Sequence, residues 1–132
     1  MSSTAAIEMK MQIDPSIQSM PELARAIEEA IAFFEGQYRD LPEDPRWSNA
    51  FMHWMISPND QKAIQVVFSE SHSERGGYAS KVEIPTRYFF DEYSRTSSMR
   101  RLMFKVTGQR SAVLQQEIGR LIHEMEEEDA HR

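Results

Sequence analysis

The first repeating pattern in the chain has a period of two. Between residues 6 and 14 the apolar side chains alternate with polar or charged ones, and Pro15 follows. A period of two is typical of a strand with one buried face, and proline ends such a strand. We therefore predict a strand here whose inward residues are Ile7, Met9, Met11 and Ile13.

A helical period follows. Ser19 and Glu22 have the spacing of a capping box, in which the serine caps the helix and the glutamate bonds back to it. The apolar residues then recur at helical spacing, which predicts a helix with one buried face, ended by Gly36. That face comprises Leu23, Ile27, Ala30, Ile31 and Phe34.

Three further strands are predicted between residues 47 and 85. Residues 47–56 fit a helix or a strand, and we favour a strand for the second half because the turn-forming residues 58–61 lead straight into another strand. Short loops join the three, so they form an antiparallel meander. The inward positions of the last two strands are Ile64, Val66 and Phe68, then Tyr78, Ser80, Val82 and Ile84.

The C-terminal third predicts two or three helices. Thr86 would cap a short helix over residues 87–93, a second would start at residues 96–98 and end at Gly108, and Ser111 would cap a third. The acidic run that follows opposes the helix dipole, so residues 126–132 are expected to fray. The predicted fold class is α+β: a mainly antiparallel sheet of about four strands, one N-terminal helix and these C-terminal helices. We expect a single domain over residues 1–132, with a flexible lead-in at residues 1–5.

Composition narrows the classes of function. The 132 residues include no cysteine, which excludes disulfides and thiol chemistry and favours a reducing, cytoplasmic location. No run of 18 apolar residues suggests a membrane span, and the first residues do not resemble a signal peptide. The only cluster of carboxylates and imidazole, at residues 70–74, lies on a predicted turn, and no phosphate loop or catalytic motif occurs. We therefore expect no metal, no cofactor and no catalytic residues.

Charge is unevenly distributed in this acidic chain, whose net charge is −6. Residues 87–110 contain six basic residues and two acidic ones. Two serines at a predicted helix start, guanidinium groups and neighbouring tyrosines are suited to a phosphate-bearing ligand such as a nucleotide or single-stranded nucleic acid. Alternatively, the basic residues form a solvated face that pairs with the acidic helices. The candidate anion-binding residues are Arg87, Tyr88, Tyr93, Arg95, Ser97, Ser98, Arg100, Arg101 and Lys105.

The aromatic segment at residues 47–56 suggests an interface. A strand with apolar groups on both faces needs cover on both, either from its own helices or from a second subunit. The candidate interface residues are Trp47, Phe51, Met52 and Trp54. The leading hypothesis is a non-catalytic binding protein (an adaptor, inhibitor or regulator) that acts through a protein surface as a homo-oligomer. The alternatives are a binder of a phosphate-bearing ligand through residues 87–110, or an enzyme acting on such a ligand.

Overall fold

A mixed four-stranded sheet carries helices on one of its faces, which confirms the predicted α+β class. The computed structural model describes residues 9–131. The strands lie side by side in chain order. The elements are β1 (Lys10–Ile13), α1 (Pro15–Gln18), α2 (Pro21–Arg39), β2 (Trp47–Ile56), β3 (Ala63–His72), β4 (Gly76–Pro85), a 3-10 segment (Thr86–Phe90) and α3 (Glu92–Ala130).

The first strand, β1, pairs parallel to β2, whereas the other pairs are antiparallel. Parallel pairing requires a crossover, and α1 and α2 provide it. Met11 and Ile13 lie beside Met52 and Trp54 and pack against the core, as the alternation predicted. Ile7 and the lead-in at residues 1–5 lie outside the described residues.

The aromatic segment is a strand along its whole length. Ala50, Met52 and Trp54 are buried beneath the helices, and the residues between them point to the other face of the sheet. A bulge separates Ser48 from Phe51, and Asn49 within it has a φ of 53°. The choice of strand over helix is therefore confirmed, and it extends to Trp47.

The helix α2 differs from its prediction at both ends. It begins at Pro21, and Met20 precedes it without a side-chain cap. The predicted capping box is wrong because Ser19 closes α1 instead, with its hydroxyl donating to the carbonyl of Ser16 at 2.8 Å. Gly36 lies inside the helix, which continues to Arg39 because Tyr38, two residues further on, packs into the core.

A single helix, α3, replaces the two or three that were predicted. It begins after Asp91, whose side chain accepts a hydrogen bond from the backbone N–H of Ser94 at 3.0 Å. Gly108 does not end it: an interior glycine costs only about 1 kcal/mol, and the buried side chains before it more than offset that cost. Those side chains are Met99, Leu102, Met103 and Val106.

The acidic end of α3 stays helical as far as Ala130, although residues 126–132 were expected to fray. A pair of opposite charges four positions apart, Arg120 and Glu124 at 2.9 Å, supports this part of the helix. No helix among residues 9–131 is long and apolar enough to cross a membrane.

Candidate interaction surface

A buried carboxylate joins four elements of the fold. Glu70 lies on the inward face of β3 and its side chain is fully buried. The hydroxyls of Tyr38 on α2 and Tyr78 on β4 donate to it, the latter at 2.8 Å. From α3, Arg110 adds its Nε at 3.2 Å and pairs with the same carboxylate through Nη2. We call these four residues the Glu70 cluster.

The Glu70 cluster is satisfied internally. Burial, followed by the hydrogen bonding and charge of Glu70, holds the pKa of Tyr38 and of Tyr78 well above the usual tyrosine range, so both hydroxyls remain donors. The guanidinium of Arg110 also lies 5.3 Å from the ring centres of Tyr38 and Trp47. The cluster is therefore a structural joint that fixes α3 at residue 110.

A second buried carboxylate fixes α3 two turns later. Glu117 is buried, and it accepts a hydrogen bond from Arg46, which also pairs with Asp44 at 2.8 Å. His72 directs Nε2 at the other oxygen of Glu117 from 3.5 Å, and its Nδ1 accepts two backbone N–H groups of the next turn, at 3.1 and 3.2 Å.

The predicted cluster of residues 70–74 is thus divided between two sites. Glu70 and His72 belong to different carboxylate clusters, and Glu74 is exposed. Within residues 9–131, no three or more His, Asp or Glu side chains are grouped so that they could hold a metal ion.

Beyond Glu117, every described residue of α3 is exposed. From Leu114 onward, large apolar side chains nevertheless recur at helical spacing, at positions i, i+4, i+7, i+8 and i+11, which places them along one side of the helix. They are 42–64% exposed, far more than the buried residues of α2. We call this set the α3 stripe: Leu114, Ile118, Leu121, Ile122 and Met125.

The basic residues of the predicted anion site do not form one group. Arg95 pairs with Glu29 at 2.9 Å and donates to the carbonyl of Phe89, so it joins α3 to α2. Arg87 lies over the ring of Tyr88 at 5.1 Å, in the 3-10 segment. One of the six basic residues, Arg95, therefore pairs with an acidic helix.

The helix start predicted near Ser97 and Ser98 is wrong. Both serines lie in the second turn of α3, where backbone N–H groups bond to carbonyls one turn earlier, and the Ser98 hydroxyl donates to the carbonyl of Ser94 at 2.8 Å. Because α3 runs without a break from Glu92 through these serines, no free backbone amides remain there to bind an anion.

Three cations in the first half of α3 remain exposed: Arg100, Arg101 and Lys105, which we call the basic strip. None of them forms an ion pair with another residue in the described range 9–131. Two aromatic side chains, Tyr93 and Phe104, stand on the same half of the helix and are 81% and 80% exposed.

Three of the four predicted interface residues belong to the core instead. Trp47, Met52 and Trp54 are buried, because β2 directs them under the helices of the same chain. Phe51 alone lies on the outer face of the sheet, half-buried beside His53. The aromatic segment therefore stabilises the domain rather than offering a continuous interface.

Sequence reasoning missed the Glu70 cluster, although a signal was present. The inward positions of β3 are Ile64, Val66, Phe68 and then Glu70, with the same period of two. A carboxylate that continues an apolar series must be buried with a partner. Nothing in the sequence identified that partner as Arg110, forty positions away.

Comparison with known proteins adds no relative. No family model, no curated protein and no solved structure matches this chain. A functional inference must therefore start from the exposed surfaces of α3.

Proposed function

We propose that this protein is a non-catalytic binding protein that works as a homo-oligomer, an adaptor or regulator whose α3 stripe is its self-association surface. The observation that carries the proposal is the exposure of five large apolar side chains on one side of a helix. The two carboxylate clusters support it, because they hold α3 at residues 110 and 117 and so present the stripe in a fixed direction.

The size of the stripe suits a reversible contact. Covering the exposed half of one such side chain is worth about 1 kcal/mol, and a symmetric pair would cover the set twice. Association itself costs on the order of 4–15 kcal/mol. We therefore expect dimers that dissociate on dilution rather than permanent ones.

Light scattering coupled to size-exclusion chromatography, run over a wide concentration range, tests the proposal. The unmodified chain should pass from 15.4 kDa to twice that mass as its concentration rises. Ile118→Glu/Ile122→Glu should remain monomeric, because a partner helix would have to bury two carboxylates. A monomer at every concentration, with the unmodified chain, would overturn the proposal.

The matched control is Ala112→Glu/Gln116→Glu. It adds the same charge to the same exposed part of α3, but on the side away from the stripe. It should dimerise like the unmodified chain, and circular dichroism should show that both variants keep their helix content.

Binding of a phosphate-bearing ligand is the second candidate function. The observation in its favour is the basic strip, which is exposed and forms no ion pair within residues 9–131. It ranks second because Arg95 is already paired and because no helix start lies at Ser97. Binding of ATP or an oligothymidylate, lost in Arg101→Glu/Lys105→Glu, would establish it.

A further inference from the structure

The two outer strands of the sheet differ in length and regularity. Within residues 9–131, β1 and β4 are the strands at its edges. The strand β1 has four residues, whereas β4 has ten and pairs with β3 residue by residue without a bulge. Proteins commonly protect a sheet edge with a short strand, a bulge, a proline or a covering element. The strand β4 has a long and regular edge, and its one proline, Pro85, is its last residue.

Every second residue of β4 directs its backbone groups away from β3. The N–H of Thr86 donates to the carbonyl of Lys62 at 2.8 Å, and bonded positions of an antiparallel pair alternate with unbonded ones. In the register of β3 and β4, the even-numbered residues of β4 therefore bond to β3 and the odd-numbered ones face outward. The odd-numbered residues before Pro85 are all exposed, and we call them the β4 edge: Gly77, Ala79, Lys81 and Glu83.

The β4 edge is unoccupied by the rest of residues 9–131. No further strand of this range pairs with it, and its N–H and C=O groups take no part in the backbone hydrogen bonds between elements. Its first two residues are a glycine and an alanine, which leave room for a neighbouring backbone. On the inner face, Val82 packs on the core but is only half-buried. A row of free N–H and C=O groups in strand geometry is what another strand pairs with.

Lys81 gives the β4 edge a positive charge. It forms no ion pair within residues 9–131. The carboxylate of Glu83, in contrast, is turned across the sheet and accepts a hydrogen bond from the hydroxyl of Ser57. Opposite charges directly across from each other stabilise a pair of strands, and like charges destabilise it. The edge therefore favours a strand with an acidic side chain opposite Lys81.

A second copy of β4 is poorly suited to this edge. The antiparallel register that pairs all four edge residues places Lys81 opposite Ala79, and diagonally beside Lys81 of the other copy on the same face. The register that places Lys81 opposite Glu83 pairs only those two residues through both backbone groups, because Pro85 has no N–H. A second copy thus satisfies either the hydrogen bonds or the charges, whereas a strand of different sequence can satisfy both.

We propose that the β4 edge binds an extended segment of a partner protein, which adds a strand antiparallel to β4 and places an acidic side chain opposite Lys81. The inference rests on the proposed function, because it names the kind of partner that the adaptor holds. Main-chain hydrogen bonds provide the affinity in this mode of binding, and alternate side chains provide the selectivity. Here the selective contacts are the acidic residue on the outer face and an apolar residue opposite Val82 on the inner face.

A synthetic strand tests the charge preference. The probe is Thr-Val-Thr-Val-Glu-Val-Thr-Val-Thr, blocked at both ends and titrated calorimetrically into the Ile118→Glu/Ile122→Glu chain, in which the α3 stripe cannot associate. It should bind, and lysine in place of its glutamate should weaken binding about fivefold or more. Lys81→Glu should reverse that preference, whereas Lys10→Glu, the same change at an exposed position of β1, should not. No binding at millimolar peptide, or an unchanged preference in Lys81→Glu, would overturn the inference.

Backbone methylation of the probe tests the hydrogen bonds. In antiparallel pairing the threonine N–H groups face β4 and the valine N–H groups face away. Methylating the nitrogens of the two threonines nearest the glutamate should abolish binding, whereas methylating those of the two nearest valines should leave it intact. The reverse result would contradict antiparallel pairing at this edge. Ala79→Pro removes an edge N–H that β3 does not use, so it should abolish binding while the chain stays folded.

The outcomes separate this inference from the proposed function. Peptide binding by a chain that never dimerises would support the inference and contradict self-association through the α3 stripe. Dimerisation without peptide binding would contradict the inference alone. If the Ile118→Glu/Ile122→Glu chain still dimerises and Ala79→Pro abolishes that dimer, the β4 edge binds a second copy and the inference is wrong.

Discussion

The apolar faces of α2 and of the second half of α3 have the same helical spacing but different surroundings. In α2, Ile27, Ala30 and Phe34 have no exposed surface, whereas the α3 stripe is 42–64% exposed. The lengths explain the difference. The 39 residues of α3 span about 58 Å, and a strand of ten residues spans about 33 Å, so α3 extends well past the sheet that covers its first half.

The comparison teaches what helical periodicity can and cannot predict. Apolar residues at helical spacing indicate that one side of a helix must be covered. Whether the cover comes from the same chain depends on how far the neighbouring elements reach, which the local pattern does not contain. The apolar face of α2 is buried within the chain, and we expect a second copy to cover the end of α3.

The largest expected contrast between the two helices is in stability. Phe34→Ala removes a ring that packs edge-on against Phe68, and it should lower the free energy of unfolding by about 4 kcal/mol. Ile122→Ala should change that free energy by less than about 0.5 kcal/mol at concentrations where the chain is monomeric. Urea unfolding followed by the fluorescence of Trp47 and Trp54 measures both.

The same pair of variants can also break the comparison. If Ile122→Ala lowers the free energy of unfolding of the monomer as much as Phe34→Ala does, the α3 stripe is covered within the chain and is not available to a partner. If instead Ile122→Ala costs stability only at high concentration, the loss measures the dimer.

Alkaline pH should weaken the joint between the two helices. Above pH 10 the tyrosines of the unfolded chain lose their protons, whereas Tyr38 and Tyr78 keep theirs in the fold because their pKa values are raised. The unfolded state then binds fewer protons, so the free energy of unfolding falls by about 1.4 kcal/mol per pH unit for each tyrosine. Urea unfolding between pH 10 and 12 measures this slope.

Substitution assigns that slope to its residues. Tyr38→Phe should make it about half as steep, and Tyr38→Phe/Tyr78→Phe should remove most of it. An unchanged slope in the doubly substituted chain would mean that the alkaline loss arises elsewhere, and that the Glu70 cluster does not hold its tyrosines in the protonated form.

Much of the fold followed from periodicity. The alternation of Ile64, Val66 and Phe68 predicted the inward face of β3 correctly, because a strand places every second side chain on the same face. The parallel pairing of β1 was not predicted, since partners in a sheet depend on contacts between distant residues. The strand β2 and the C-terminal helices were predicted as separate elements, but their packing against each other was not predicted. Trp47 was therefore assigned to an interface.

The candidate site was less predictable than the fold. The residues of the α3 stripe recur at helical spacing in the sequence, but their exposure depends on the length of α3, which was underestimated. The excess of basic residues at positions 87–110 was visible as a charge count, but only the structure separates Arg95 and Arg110, which hold the fold together, from the exposed basic strip. A count of charges carries no information on which of them are already paired.

Replacing the glycines inside the two helices should change stability least, but the direction of the change is informative. Gly36 and Gly108 were expected to end α2 and α3, but both lie inside helices, and a Cβ at either would meet nothing within 4 Å. Gly36→Ala and Gly108→Ala should therefore each raise the free energy of unfolding by up to about 1 kcal/mol. Had either glycine ended its helix in the left-handed conformation, alanine would be destabilising. Gly76→Ala is the control, because Gly76 has a φ of +74° and should lose stability. Gains in stability at Gly36 and Gly108, together with a loss at Gly76, would mean that packing on the sheet rather than glycine decides where these two helices end. A loss of stability at Gly108 alone would mean that α3 ends near this glycine, and the α3 stripe beyond it would then have no support.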